Sequence, residues 1–323
     1  MTGLSFRAVK DDGSGASLLP LFEARWQSYL RWYLHEGDGA RPTYLACARN
    51  LKHHMPELVP AWERLSGRFG GTDLVARFLS LWKPPAFVSG CTQALWTRER
   101  PALIRNYDYP PALCDAVLLH AHFTSMATLS MSDCLWGVLD GINAEGLGVS
   151  LAFGGRRTRG DGFGIAIVLR YILETCRHAK DALKVLKRVP VHLPYNLAIL
   201  DRQGDWLTVF ISPDRDPEVR REPYSANRQD ATIWPEDDRI VDTVRREALL
   251  ENVIGNPDET MEHLSDRFLQ PPIYRPLRKG DWGTLYTACY RPADASVQLR
   301  WPRFSWRQSI ADFEPGERIV SYS

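Results

Sequence analysis

One cysteine stands where it could become a nucleophile. Cys91 directly follows Gly90 at the head of the strand-like run GCTQALW. If the bond between them were cut, Cys91 would carry a thiol and a free α-amine, whose pKa of roughly 7.7–8.0 lets it take the thiol proton near neutral pH. The thiolate is the attacking species, and Gly90, without a side chain, leaves room for attack on its own carbonyl. The pair predicts an N-to-S acyl shift, followed by hydrolysis of the thioester.

Two charged residues downstream could serve such a site. Arg105 and Asp108 lie in the run ALIRNYDY. An arginine can hold a thiolate and lower its pKa, and an aspartate can orient an ammonium group. Simpler interpretations also exist: Cys91 as a small buried packing residue, and Arg105 with Asp108 as an ion pair of small energetic value at a strand end.

The composition argues against several classes of function. Forty basic and thirty-nine acidic residues give the 323-residue chain a formal net charge of +1. No block of like charges predicts binding to nucleic acid or to an anionic membrane surface. The N-terminus lacks the apolar core of a secretory signal, and no apolar run has the length of a membrane span. We therefore expect a cytoplasmic protein with neither nucleic acid nor membrane as a partner.

The sequence predicts no metal and no cofactor. The six cysteines are scattered, without a C-x-x-C pair, which disfavours a zinc site or a disulfide framework. His120 and His122 share one face of a strand-like run but have no matching acidic or histidine partner, so partly buried or edge histidines are favoured over metal ligands. The glycine-rich stretch at 154–164 does not match a nucleotide-binding loop, and we interpret it as a surface loop bordering a pocket.

The elements that must position these residues are helices and hairpins. Apolar residues at helical spacing predict a mostly helical stretch over about the first 85 residues. Short β-rich runs follow, and turn-forming residues join some of them into hairpins within 135–153, 196–211 and 284–301. Further helices are predicted over 164–176, 181–189, 238–250 and 258–269. This order predicts an α+β fold and argues against a doubly wound parallel sheet.

The segment GCTQALWTRERPALIRNYDY, at 90–109, resembles the nucleophile segment of the N-terminal nucleophile (Ntn) hydrolases. The closest resemblance is to the acyl-coenzyme A:6-aminopenicillanic acid acyltransferase (isopenicillin N acyltransferase) family, with choloylglycine hydrolase and penicillin V acylase more distant. Other family-like stretches lie in family order along nearly the whole chain: HMPELVP at 54–60, LDGINAEGLGVSLAFGGR at 139–156, YILETC at 171–176, YNLAILD at 195–201 and GTLYTACYRP at 283–292. The combination is specific for the family and says little about the substrate.

The resemblance implies a four-layer αββα sandwich, in which two antiparallel sheets lie face to face and helices flank them. It also implies roles for four residues. Cys91 matches the autocatalytic nucleophile and Arg105 the arginine beside it. Asp108 matches the aspartate that hydrogen-bonds the new amine. Asn227 matches the asparagine whose side chain helps to form the oxyanion hole, although the pattern Ser-Ala-Asn-Arg would also suit a turn asparagine.

The chain departs from the family pattern at several positions. Ala226 and Arg228 flank Asn227 where relatives often have threonine and histidine, which would put a guanidinium near the site and alter the preferred substrate charge. Ala152 or Phe153 falls where bile-salt-type relatives carry a second oxyanion asparagine, so backbone N–H groups would have to replace that donor. Arg275 lies where acyltransferase relatives have a second arginine near the pocket.

The resemblance implies an enzyme that acts on linear, non-peptide amide bonds through a Cys91 thioester after self-cleavage between Gly90 and Cys91. Residues 1–90 would be a helical pro-segment or small subunit, and residues 91–323 the catalytic domain. We expect the cleaved subunits to stay associated, and a homo-oligomer is possible. The expected partner is a small-molecule substrate, either an amide or an acyl thioester. The alternatives are an amide-forming acyltransferase with an acyl-thioester donor and an uncleaved, non-catalytic relative that binds an acyl ligand. Hydrolysis is favoured because water is always available and no coenzyme A-binding motif is evident.

Overall fold

Two β-sheets packed face to face form the centre of the molecule, in a computed structural model that describes residues 2–229, 242–277 and 282–322. The strands are β1 Thr2–Asp11, β2 Gly90–Trp96, β3 Ala102–Tyr109, β4 Val117–Ala121, β5 Thr128–Asp133, β6 Gly137–Asn143, β7 Gly148–Phe153, β8 Tyr195–Leu200, β9 Trp206–Ser212, β10 Arg215–Arg220, β11 Tyr224–Ser225, β12 Gly283–Arg291, β13 Ser296–Trp301, β14 Phe304–Ser309 and β15 Gly316–Tyr322. The helices are α1 Leu19–Tyr33, α2 Tyr44–His54, α3 Val59–Arg68, α4 Asp73–Ser80, α5 Ile165–Thr175, α6 Ala179–Arg188, α7 Thr243–Gly255 and α8 Met261–Arg267.

The larger sheet has the order β10-β9-β8-β7-β6-β5-β4-β1-β15, and the smaller sheet has the order β11-β2-β3-β12-β13-β14. Neighbouring strands of the described residues pair antiparallel, with one exception: β1 runs parallel to β4. The three predicted hairpins are confirmed as β6–β7, β8–β9 and β12–β13. In the first of them, Asn143 Oδ1 accepts the backbone N–H groups of Glu145 and Leu147, which closes the turn.

Alternating side chains divide the core into layers. On the inner faces, Leu118 and Leu139 of the larger sheet share one apolar cluster with Leu103 and Leu299 of the smaller sheet. The other face of the larger sheet packs against α1–α6, and the other face of the smaller sheet packs against α7 and α8. The predicted α+β fold, a four-layer αββα sandwich, is therefore confirmed.

Helices α5–α8 form in the four regions where the sequence predicts helices, but the ends of α7 and α8 differ. Helix α7 runs to Gly255, five residues beyond its predicted end, and α8 spans Met261–Arg267 within the predicted 258–269. The ends of α5 and α6 lie no more than two residues from those of the predicted ranges 164–176 and 181–189. Of the predicted helix 238–250, residues 238–241 lie outside the described residues, and α7 begins at Thr243. No helix of the described chain is both long and apolar enough to cross a bilayer.

The first 85 residues differ from the helical prediction at their start. Helices α1–α4 form as expected, but residues 2–11 form strand β1, which lies between β4 and β15. Its side chains alternate: Phe6 and Ala8 enter the core between the sheets, whereas Val9 packs on the helical side. An alternation with period two indicates a strand, and its shortness next to strong helical patterns explains why a helical interpretation overlooks it.

Candidate active site

Cys91 lies at the second position of β2, an interior strand of the smaller sheet, directly opposite Tyr107 of β3. Every residue of β2 is buried, and the Cys91 side chain belongs to the apolar cluster between the sheets. Its Sγ is 3.1 Å from Arg105 Nη2 and 3.4 Å from Ser89 Oγ. A thiol in this position has a cation beside it and no contact with solvent in the uncut chain.

The Arg105 guanidinium is fixed from several sides. Its Nη1 pairs with the Asp140 carboxylate and donates to the Tyr286 hydroxyl at 3.1 Å, and its Nε donates to the Leu151 carbonyl at 2.9 Å. The hydroxyls of Tyr286 and Tyr290 donate to the two Asp140 oxygens at 2.6 and 2.5 Å. These bonds leave Nη2 aimed at the sulfur, because a planar guanidinium cannot turn one nitrogen without moving the others.

Two effects act on the Cys91 thiol in opposite directions. Burial raises its pKa, since a thiolate loses its hydration in the core, and the nearby Arg105 offsets part of that rise. The net shift is upward, so the thiol of the uncut chain holds its proton at neutral pH. Exposure of this sulfur to solvent would remove the larger of the two effects and leave the arginine.

Asn227 bridges the two sides of the Gly90–Cys91 bond. Its Oδ1 accepts the Cys91 backbone N–H at 2.9 Å. Its Nδ2 donates to the Ser89 carbonyl at 3.2 Å and to the Phe153 carbonyl at 3.1 Å. The Asn227 side chain therefore bonds to residues on both sides of the Gly90–Cys91 bond and to the end of β7, rather than to its own turn. The amide oxygen faces the amine side of the bond and the amide nitrogen faces the acyl side.

The segment around Asn227 is clamped by neighbours that the sequence did not single out. Asn196 of β8 donates to the carbonyls of Ala226 and Arg228, each at 2.8 Å. Gly155, in the glycine-rich stretch, has φ +71°, and a Cβ there would come within 2.3 Å of the Asn227 carbonyl oxygen. Only glycine suits this backbone conformation and this close approach. The glycine-rich stretch thus packs on the segment around Asn227.

Asp108 lies opposite Gly90 in the β2–β3 register, on the acyl side of the same bond. Its carboxylate accepts from Thr284 Oγ1 at 2.7 Å and pairs with Arg246 Nη1 at 3.3 Å. Burial raises the pKa of Asp108, and the Arg246 cation with the Thr284 hydroxyl opposes the rise.

The sequence also singled out Arg275 and Arg228, which lie in different places in the structure. The Arg275 N–H donates to Thr284 Oγ1 and the Arg275 carbonyl accepts the Thr284 N–H, each at 2.8 Å, which puts the Arg275 backbone next to the partner of Asp108. Arg228 pairs with Glu247 at the surface side of α7. Because that carboxylate neutralises it, Arg228 adds less free charge to the site than its position in the sequence suggests.

The predicted residues Gly90, Cys91, Arg105, Asp108 and Asn227 therefore lie around the start of β2. Cys91 and Arg105 meet on the inner face of the smaller sheet, whereas the Asp108 carboxylate bonds to Arg246 of α7. Residues that sequence reasoning missed complete the arrangement: Ser89, Asp140, Asn196 and Arg246. The arrangement offers a thiol beside a cation, a side-chain amide that donates toward the acyl side, and a carboxylate across the strand pair. Such groups are those that acyl transfer through a thioester requires.

Two facing sheets with outer helices, and a cysteine near the start of an interior strand, define the class of Ntn hydrolases. The family model described as acyl-coenzyme A:6-aminopenicillanic acid acyl-transferase matches residues 96–306, about two thirds of the chain. The chain therefore belongs to this family. The match includes Arg105, Asp108 and Asn227 and begins just after Cys91.

Solved structures of low sequence identity are also similar to the chain. A mutant of conjugated bile acid hydrolase from Clostridium perfringens is 12% identical, with TM-score 0.46, covering 72% of this chain and 97% of its own. Penicillin V acylase from Agrobacterium tumefaciens is 13% identical, with TM-score 0.44, covering 68% and 86%. The N-acylethanolamine-hydrolyzing acid amidase ortholog of Caenorhabditis elegans is 17% identical, with TM-score 0.44, covering 72% and 100%. Among curated protein sequences, none matches the chain.

Proposed function

We propose that the protein is an autoproteolytic cysteine Ntn hydrolase that cuts linear, non-peptide amides after self-cleavage between Gly90 and Cys91. The observation that carries the proposal is the placement of Asn227, whose amide oxygen holds the Cys91 N–H while its amide nitrogen faces the acyl side of the same bond. Arg105 beside the sulfur and Asp108 opposite Gly90 support it.

Self-cleavage begins when the Cys91 sulfur attacks the Gly90 carbonyl carbon. The C–S bond forms, the C–N bond to Cys91 breaks, and the thiol proton passes to the departing nitrogen. Water then attacks the resulting thioester, the C–S bond breaks, and Gly90 leaves as a carboxylate. Cys91 is now N-terminal and carries its own base.

Turnover repeats the same steps on an external amide. The α-amine of Cys91 takes the thiol proton, the sulfur attacks the amide carbonyl, and the amine leaving group receives that proton. Asn227 Nδ2 stabilises the oxyanion, Arg105 stabilises the thiolate, and Asp108 orients the α-amine. During self-cleavage one Nδ2 hydrogen shifts from the Ser89 carbonyl to the adjacent Gly90 oxyanion, and after cleavage it serves the substrate, while the bond to Phe153 keeps the amide in place.

The two products of cleavage, residues 1–90 and residues 91–323, stay together in this proposal, with the second forming the catalytic subunit. The position of β1 inside the larger sheet supports this association. We also propose a cytoplasmic setting, which the six free, buried cysteines support.

Intact mass of purified protein tests the proposal. We expect two fragments that sum to the full chain plus one water, with Cys91 at the new N-terminus, and a single uncut chain for Cys91→Ala. Cys91→Ser is expected to cut slowly, because a hydroxyl is the poorer nucleophile. A full-length wild-type chain would leave a non-catalytic acyl-binding protein as the remaining interpretation, and normal cutting of Cys91→Ala would assign the cut to another protease.

The fate of the acyl group separates hydrolase from acyltransferase. N-acyl amides are incubated with cleaved protein, with and without a primary amine acceptor, and acyl thioesters of coenzyme A are tested as donors. Free acid as the main product with amine present is the expected result. A new amide formed preferentially from the thioester donor would assign the protein as an amide-forming acyltransferase.

A further inference from the structure

A fully buried arginine of α7 connects most of the proposed catalytic groups. Arg246 is the fourth residue of α7, which packs on the outer face of the smaller sheet, yet its guanidinium reaches the start of β2. Its contacts to the site run from Nη1 to Thr92 Oγ1 (2.7 Å), Asp108 Oδ2 (3.3 Å) and the Cys91 carbonyl (3.4 Å), and from Nη2 to Asn227 Oδ1 (3.4 Å).

The contact with Asn227 has a consequence for the orientation of that amide. The oxygen and nitrogen of an asparagine amide exchange places when the group rotates by half a turn. Here the oxygen faces two donors, Arg246 Nη2 and the Cys91 N–H. Rotation would set NH₂ against both donors and the amide oxygen against the Ser89 and Phe153 carbonyls, so Arg246 is one of four contacts that direct Nδ2 to the acyl side.

The contact of Arg246 with Asp108 stabilises the negative charge of that carboxylate. A buried carboxylate that has lost its hydration needs a nearby cation to remain ionised. Arg246 supplies that cation from the opposite side of the sheet to Arg105, which is committed to Asp140. One guanidinium thus serves the oxyanion donor and the carboxylate together, and its planar fork suits two partners at once.

We propose that Arg246 is a positioning residue that orients the Asn227 amide for oxyanion stabilisation and keeps Asp108 charged next to Cys91. The proposal rests on the self-cleavage proposed above. It assigns Arg246 no contact with the reacting carbonyl. Arg246 acts through its two partners, so its removal should cost almost as much as the removal of the donor that it orients.

The rate of self-cleavage tests the role without any knowledge of the substrate. Full-length chains are pulse-labelled during cell-free synthesis, and conversion to fragments is followed for wild type, Arg246→Met and Arg170→Met. Arg170 is a matched control: it is equally buried and pairs with Glu174, but its partners lie on the far side of the larger sheet. We expect Arg246→Met to slow cleavage by about 10²-fold, the scale of a lost oxyanion donor, and Arg170→Met to lower the melting temperature with an unchanged cleavage rate.

Two further variants separate positioning from packing. Arg246→Lys keeps a cation near Asp108 but loses the fork, so we expect it to recover part of the rate lost in Arg246→Met. The second variant combines Arg246→Met with Asn227→Ala. The factor by which Arg246→Met slows cleavage should be at least ten times smaller in the Asn227→Ala background than in wild type, because the amide that Arg246 orients is gone.

The outcomes are distinguishable. If wild type cleaves and Arg246→Met slows cleavage no more than Arg170→Met, the positioning role is wrong and the proposed function stands. Full additivity with Asn227→Ala would also overturn the role. If Arg246→Met does not fold, the lysine variant decides, and a wild-type rate there would overturn the need for the fork. A wild-type chain that never cleaves at Gly90–Cys91 would remove the proposed function itself.

Discussion

At the scale of single residues, the first prediction concerns the Asn227 amide and the rate that its removal would cost. In the proposed reaction the bond from Asn227 Nδ2 strengthens only as the oxyanion forms, so loss of this side chain should reduce the rate without weakening substrate binding. We expect Asn227→Ala to slow self-cleavage by about 10²–10³-fold. In protein that has cleaved to completion, kcat and kcat/KM should fall together while KM stays near its original value.

Asn143→Ala is the matched control for this substitution. The Asn143 amide is also fully buried and donates to two carbonyls, those of Leu173 and Cys176, at 3.0 and 2.8 Å, but it closes a turn away from Cys91. It should lower the melting temperature and leave cleavage intact. The same pattern in Asn227→Ala would make Asn227 a structural residue and leave Cys91, Arg105 and Asp108 as the proposed site.

Asp108 supports a second prediction at this scale. Asp108→Asn keeps the shape of the side chain and the partner Thr284. It removes the charge that, in the proposed mechanism, orients the Cys91 nitrogen, first as the leaving group of self-cleavage and then as the α-amine. We expect a folded protein whose self-cleavage and turnover both fall by about 10²-fold, the lower range for a proton-transfer role. Asp201→Asn is the control. The buried Asp201 carboxylate accepts the backbone N–H groups of Ala179, Gln203 and Asp205, and its change to an amide should leave both rates unchanged. Wild-type rates in Asp108→Asn would show that this carboxylate has no part in the chemistry.

The sequence could point to these residues for different reasons. Cys91, Arg105 and Asp108 lie on two consecutive strands, so their short spacing already implies that they are close. Asn227 became a candidate through the family resemblance. Arg246 and Asp140 reach the site from a helix and a strand far along the chain, and their proximity follows from the packing of layers, which no local spacing encodes.

At the scale of elements, α1 is docked on the larger sheet through a buried acidic pair. The Tyr29 hydroxyl lies 2.6 Å from Asp115 Oδ2 and 3.1 Å from Asp133 Oδ1, and it accepts the Cys134 N–H at 2.9 Å. Arg25 of the same helix lies 3.5 Å from Asp115. Burial and the charge of Asp115 raise the pKa of Asp133 to about 7, and burial also raises the pKa of Asp115.

A pH dependence of stability follows from these shifts. The folded pKa of Asp133 lies above its unfolded value of about 3.9, so folding favours the protonated acid. Its contribution is complete below about pH 4 and is lost as pH rises through about 7. Measured in the uncut Cys91→Ala background, the melting temperature should fall over this window, and Asp133→Asn should reduce the fall. Equal pH slopes in the two proteins would exclude Asp133 as the cause.

Prediction from sequence succeeded for elements whose partners are neighbours in the chain. The β6–β7 hairpin, closed by Asn143, and helices α5 and α6 carry their signals within a few residues. Strand β1 does not, because its partners begin at Val117 and Gly316. Within the ten residues of β1, the only local signal for a strand is a weak alternation between apolar and polar side chains. The strong helical pattern that follows it in the sequence therefore favours a helical prediction for the whole region.

At the scale of the whole molecule, the path of the chain predicts what happens to the segment before the cut. Residues 1–90 supply β1 to the interior of the larger sheet and α1–α4 to its outer layer. Release would expose both the edges of β4 and β15 and a large apolar surface. We expect the two fragments to co-elute in size-exclusion chromatography at neutral pH and to separate only in denaturant. A fragment of residues 91–323 that elutes alone would contradict this.

The enclosure of β1 also sets the molecularity of folding. Before cleavage, β1 finds β4 and β15 within one chain, so folding is a first-order process. After cleavage, the same pairing joins two molecules, and recovery from denaturant becomes second order and dependent on protein concentration. Uncut Cys91→Ala should refold with a half-time independent of dilution, whereas the cleaved protein should refold more slowly, and less completely, with each dilution. If the proposed cleavage occurs, the peptide bond before Cys91 is needed once, for assembly. Its loss then makes the mature protein a complex that heat or denaturant can dissociate but that one chain alone cannot restore.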